Sequence, residues 1–203
     1  MTKLKICGLT RPEDIAVANR LQLDYIGFVF AKSRRKVMPE QAETLKLQLN
    51  PNILAVGVFV NAPIDTMAQL VEDEIIDLIQ LHGQEGEQVI TALKNRLPDT
   101  KIIKAISVKT AQDVEKWQDS QADYLLLDNG AGGTGASFDW DILSELSTVK
   151  KPYFIAGGLT PCNVSQVLDV HPYGVDVSGG VETDGLKDPM KMLQFLKNVR
   201  NMP

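Results

Sequence analysis

Eight short apolar runs alternating with eight amphipathic stretches predict a single (β/α)8 barrel, with one parallel strand and one covering helix per unit. Two observations carry that prediction. The apolar runs lack clean polar alternation, as strands of a parallel sheet covered on both faces should. The last two runs are each followed by a glycine pair, where this architecture frequently holds a phosphate. At about 25 residues per unit the chain lies at the lean end for a closed eight-stranded barrel, and an open doubly wound sheet is the competing architecture. No Pro/Ser-rich linker interrupts the alternation, so residues 1–203 are expected to form one domain.

In chain order the predicted strands are Leu4–Cys7, Tyr25–Phe30, Ile53–Val60, Leu78–His82, Ile102–Ile106, Tyr124–Asp128, Tyr153–Ala156 and Val175–Ser178. Each is rich in Val, Ile, Leu or Phe, and their regular recurrence is stronger than any one run. The first helix is predicted over Pro12–Leu21. It has Pro12 in its first turn, Thr10 as N-cap and Glu13 completing a capping box. Pro39–Leu49, Ile64–Glu72, Glu85–Leu97, Ala111–Asp119, Trp140–Leu146, Pro161–Leu168 and Pro189–Val199 follow the same logic, several opening on Pro or just after Thr, Asp or Asn. Short links between strand and helix imply right-handed βαβ units.

With 44% hydrophobic and 23% charged residues, the composition is that of an ordinary globular chain. A net charge of -5 argues against a nucleic-acid partner, although a local basic patch still suits an anion. The apolar run at the N-terminus is too short for a signal peptide, and no stretch approaches the roughly 20 residues of a membrane span, so no membrane partner is expected and the cytoplasm is the expected location. Cys7 and Cys162 do not make a disulfide framework. With His82 and His171 as the two histidines and no paired Cys/His spacing, no metal site is expected.

Gly157 and Gly158 follow the seventh strand; Ser178, Gly179 and Gly180 follow the eighth. Glycine lets backbone N–H groups approach an anion closely, and a helix N-terminus adds a favourable dipole. The alternative is that these glycines only make tight turns. A third glycine-rich loop, Gly130–Gly135 with Gly133 at its centre, is expected to be a mobile flap over the substrate, or else a surface excursion.

In a barrel, a reactive side chain at the C-terminal end of a strand reads as catalytic. Cys7 after strand one, Asp128 after strand six and Arg35 in the loop after strand two meet that test. Their plainer readings are a buried small hydrophobe, a turn residue and a solvated basic run. His82 ends strand four. Asp176 lies within strand eight, where a carboxylate needs a partner or the polar mouth. Cys162, near a predicted helix start, reads as structural.

Taken together, KICGLT (5–10), GFVF with KSRRKV (27–30, 32–37), VGVFVN (56–61), QLHG (80–83), LLLD (125–128), GGTG with FDW (132–135, 138–140), AGGLTPCNV (156–164) and DVSGGVETDGLKD (176–188) resemble the phosphoribosylanthranilate isomerase family, in family order from end to end. The resemblance implies an Amadori rearrangement in tryptophan biosynthesis, with N-(5'-phosphoribosyl)anthranilate converted to the 1-deoxyribulose phosphate. It carries the general base onto Cys7, the general acid onto Asp128 and recognition of the anthranilate carboxylate onto Arg35. It assigns phosphate contacts to Gly157, Gly158, Gly179 and Gly180, with Ser178, Gly133, Asp176 and His82 counted as further substrate-binding residues. Residues 178–180 read Ser-Gly-Gly where the family often has Ser-Ser-Gly, so a hydroxyl contact at position 179 is not expected.

That chemistry needs a proton donor to the ring oxygen and a base for the C2' hydrogen, and no cofactor. Free Asp has a pKa of about 3.9 and free Cys about 8.5, so the site is expected to raise one and lower the other. The implied partner is a phosphorylated small molecule, and the implied assembly is a monomer or homodimer. Two other phosphosugar enzymes are the nearest rivals: a histidine-pathway isomerase, expected to use two aspartates, and a metal-dependent pentose-phosphate epimerase. A catalytically silent phosphate-binding barrel is the rival of a different class.

Overall fold

The computed structural model describes residues 1–128 and 149–200. Its strands are β1 (Lys3–Cys7), β2 (Tyr25–Val29), β3 (Leu54–Phe59), β4 (Leu78–Leu81), β5 (Lys101–Ser107), β6 (Tyr124–Asp128), β7 (Tyr153–Ile155) and β8 (Gly174–Val177). They close in sequence order into one parallel barrel, with β8 returning to β1 in the register Lys5↔Asp176. The covering helices are α1 (Pro12–Leu21), α2 (Pro39–Lys46), α3 (Ile64–Glu72), α4 (Glu87–Arg96), α5 (Ala111–Glu115) and α6 (Pro189–Arg200). The predicted helix Trp140–Leu146 and the predicted flap with Gly133 lie outside the described residues.

Alternation along each strand separates two cores. One set of side chains, including Leu4, Ile6, Ile26, Phe28, Leu125 and Val175, packs outward against the helices. The other points into the barrel: Tyr25, Val56, Leu78, Ile103, Leu126 and Phe154. At the strand starts the interior is aromatic, with Tyr25, Tyr124 and Tyr173 all touching Phe154 edge to face. Toward the strand ends it becomes polar through Lys5, Gln80 and Asp176, all buried.

Three predicted details change. Thr10 does not cap α1. The cap is Arg11, and the carboxylate reaching back is that of Asp14, which accepts from the Thr10 and Arg11 N–H groups at 3.0 and 3.1 Å. Pro12 at the first helical position sets the frame one residue later than the Thr10–Glu13 pairing requires. The predicted helix Pro161–Leu168 contracts to a 3-10 turn over Val164–Val167. There Asn163 accepts from the Thr160 N–H and donates to the Gly158 carbonyl, diverting backbone groups from a helical ladder. Finally, an unpredicted two-stranded ribbon, β9 (Glu182–Thr183) with β10 (Leu186–Lys187), follows β8.

Candidate active site

The closed barrel gathers the predicted residues at one rim. Cys7 ends β1 and Asp128 ends β6; His82 directly follows β4, and Ser178 directly follows β8. Gly157 and Gly158 lie just beyond β7, and Arg35 reaches the same end from the β2–α2 loop. Cys162, by contrast, is exposed rather than structural.

Cys7 is paired with Gly27 in the β1–β2 register, and a Cβ on Gly27 would come within 2.7 Å of the Cys7 sulfur. Glycine at 27 therefore leaves the space that the thiol occupies. Lys5 lies two positions earlier on the same inward face, and its ammonium donates to Asp176 Oδ2 at 2.9 Å. Asp176 thus has the partner that its buried position demanded, while its Oδ1 has none among the described residues. From the other side, Lys187 donates to the Ser178 carbonyl at 2.9 Å, and the Ser178 hydroxyl donates to the Cys7 carbonyl at 2.9 Å.

Electrostatically the thiol sits in a contest. Burial pushes the Cys7 pKa up; Lys5 and Lys187 pull it down, and Asp176 adds to the rise. Burial wins. The expectation that this site lowers the cysteine pKa is therefore reversed, although the two ammonium groups act in the expected direction. They remain placed to stabilise negative charge on sulfur once it forms.

Across the mouth, the His82 ring nitrogen Nε2 stands 3.6 Å from Asp128 Oδ2. Gln80 donates its amide to the other ring nitrogen, Nδ1, at 2.9 Å. In a neutral imidazole that arrangement puts the proton on Nε2, facing Asp128. Gln80 Oε1, also buried, has no partner among the described residues.

The Arg35 guanidinium is bound by Glu182, with Nε donating to Oε1 at 2.6 Å and Nη2 to Oε2 at 2.9 Å. Lys187 shares Oε1 and Arg34 shares Oε2. Hydrogen bonds from Arg35 and Lys187 outweigh the effect of burial and hold the Glu182 carboxyl below its ordinary value. Nearby, the N–H groups of Gly157 and Gly158 have no protein acceptor among the described residues. Gly180 packs so closely that a Cβ would fall 1.8 Å from the Leu159 carbonyl oxygen, so it joins the two glycine loops. Gly179 is different: a Cβ there would meet only Arg35 Nη2, at 3.3 Å.

Lys5, Gln80, Glu182 and Lys187 were not among the residues singled out in the sequence. The signal for Lys5 was available, since a lysine in an apolar strand must find a buried anion. Glu182 and Lys187 lie in a polar stretch that offers no such contrast. No group of three or more His, Cys, Asp or Glu among the described residues could hold a metal ion, and no described helix is long and apolar enough to cross a membrane.

The family described as N-(5'-phosphoribosyl)anthranilate (PRA) isomerase matches residues 4–198. The N-(5'-phosphoribosyl)anthranilate isomerase of Clostridium acetobutylicum is 43% identical over 98% of both chains. The crystal structure of phosphoribosyl anthranilate isomerase from Thermus thermophilus superposes with a TM-score of 0.90 at 31% identity, covering 100% of each chain. A further structure, of the isomerase in complex with reduced 1-(o-carboxyphenylamino)-1-deoxyribulose 5-phosphate, gives a TM-score of 0.87 at 33% identity over 99% of this chain and 100% of that one.

Proposed function

Because the chain belongs to the N-(5'-phosphoribosyl)anthranilate isomerase family, we propose that its rearrangement runs between Cys7 as general base and Asp128 as general acid. The activity itself is the isomerisation of N-(5'-phosphoribosyl)anthranilate in tryptophan biosynthesis, an internal redox reaction from aldose to ketose. What supports the division of labour is that Cys7 and Asp128 end β1 and β6 at the same rim of a closed barrel.

Protonated Asp128 gives its proton to the furanose ring oxygen, the C1'–O bond breaks and a Schiff base forms. The Cys7 thiolate then takes the C2' proton, and the electron pair moves to the nitrogen as an enolamine, which tautomerises to the ketone. Each positioned acid or base contributes about 10²–10⁴-fold. Lys5 and Lys187 offset the charge that appears on sulfur. His82, with its ring set by Gln80, orients Asp128 from the side.

At one end of the substrate, the phosphate takes the N–H groups of Gly157 and Gly158, which have no acceptor among the described residues, and the loop Ser178–Gly180. At the other, Arg35 takes the anthranilate carboxylate. We further propose one domain over residues 1–203, working in the cytoplasm as a monomer or homodimer on a phosphorylated small molecule.

The test is loss of fluorescence of freshly made phosphoribosylanthranilate on adding purified protein, against a no-enzyme control. Cys7→Ala and Asp128→Asn are each expected to lower kcat by at least about 10² while circular dichroism is unchanged. Near-normal turnover in either variant removes that residue from the mechanism.

A further inference from the structure

We infer that Glu182 is a positioning residue for substrate binding: it takes one edge of the Arg35 guanidinium and thereby aims the other at the substrate carboxylate. The inference deepens the reading of Arg35 given above and rests on it.

A guanidinium presents two forks, one made by Nε with Nη2 and one by Nη1 with Nη2. Glu182 occupies the first completely, with both contacts under 3 Å. Nη1 has no partner among the described residues, so the second fork is left for a ligand. An arginine without Glu182 would swing about a long flexible stem, and holding it beforehand removes that cost from binding.

The arrangement is built, not incidental. Glu182 is buried, and its two oxygens accept four hydrogen bonds, which fills the usual capacity of a carboxylate. The ribbon β9–β10 exists over two residues a side, and its register sets Lys187 directly opposite Glu182. The stem of Arg35 passes over Gly8, where a Cβ would fall 2.4 Å from Arg35 Cδ. Its far end reaches Gly179, so the side chain crosses from the loop after β1 to the loop after β8. Three cations surround one carboxylate, which leaves an excess of positive charge at this cluster. That excess suits an anionic group on the substrate better than a self-contained ion pair would.

The experiment is a double-mutant cycle of Glu182→Gln with Arg35→Met, read as KM and kcat for phosphoribosylanthranilate. Glu182→Gln is expected to raise KM by about tenfold with kcat within about threefold, and to add nothing to KM when Arg35→Met is already present. A KM within about twofold of wild type, or the same rise in both backgrounds, overturns the inference, because a merely structural loss would act independently of Arg35. If Arg35→Met alone leaves KM unchanged, the reading of Arg35 as the carboxylate clamp fails, and the inference falls with it. Should Glu182→Gln not fold, Glu182→Asp keeps the charge and withdraws it by one methylene. The same coupling to Arg35→Met is then expected with a smaller rise in KM, and additivity again overturns the inference.

Discussion

Lys5 and Asp176 face each other inside the barrel, paired in the β1–β8 register with Nζ 2.9 Å from Oδ2 and both side chains buried. Burial works against the Lys5 ammonium, but Asp176 and then Cys7 outweigh it and hold its pKa above the ordinary lysine value. Removing one member strands the other. Lys5→Met is expected to destabilise the fold by about 3–5 kcal/mol, and Lys5→Met with Asp176→Leu to recover most of that loss. Urea unfolding of the wild type and the two variants checks this; a double variant no more stable than Lys5→Met would show that the pair is not the cause.

The Cys7 thiol carries a pKa raised by burial, and a base works only when deprotonated. The fraction of Cys7 present as thiolate is therefore expected to climb with pH from neutral into the alkaline range, rather than to level off below neutrality. Lys187→Met removes a cation that favours the thiolate, so the rise should move to higher pH. Alkylation of Cys7 by iodoacetamide should follow the same curve, measured in a Cys162→Ser background because Cys162 is exposed. An alkylation rate independent of pH above neutrality would contradict the raised pKa.

Gly27→Ala tests the space beside the sulfur. Its Cβ would lie 2.7 Å from Cys7 Sγ and 3.0 Å from the Cys7 Cα, so the thiol must shift. A displacement of that order is expected to cost about 10²-fold in kcat, with a smaller change in KM. Unaltered kcat would mean that the thiol's position is not critical.

Glu85 accepts from the N–H groups of Asn61 and Gly83 and from Lys104, tying together the loops after β3 and β4. Those bonds outweigh burial and hold its carboxyl below the ordinary value. Its contribution to stability is thus present above the unfolded-state pKa and lost as pH falls through the folded one. Glu85→Gln is expected to be less stable than wild type at neutral pH, with the gap closing as the solution is acidified. Thermal unfolding across that range checks it, and a gap that persists into strong acid would refute the assignment.

The barrel was legible because its information is local. Apolar runs such as Leu125–Leu127 and starts such as Pro12 declare strand and helix without reference to the rest of the chain, and successive strands need only short links through their helices to stack in order. Cys7 and Asp128 were legible for the same reason: each ends an apolar run, and a parallel barrel sends all such ends to one rim. Asp176 announced a missing partner, yet nothing in the sequence said that Lys5, 171 positions away, would supply it. That pairing arises only when β8 closes onto β1. Glu182 shows the same limit: a glutamate after a glycine-rich segment looks like any solvated charge until β9–β10 turns it back onto Arg35, 147 positions away. The pKa of Cys7 was likewise decided by closure, because desolvation depends on what covers a group and not on its neighbours in sequence. By itself the sequence determined the strand order of the barrel and the residues at its rim. The tertiary structure decided their partners and charges, since ion pairs and burial are set by distances in space.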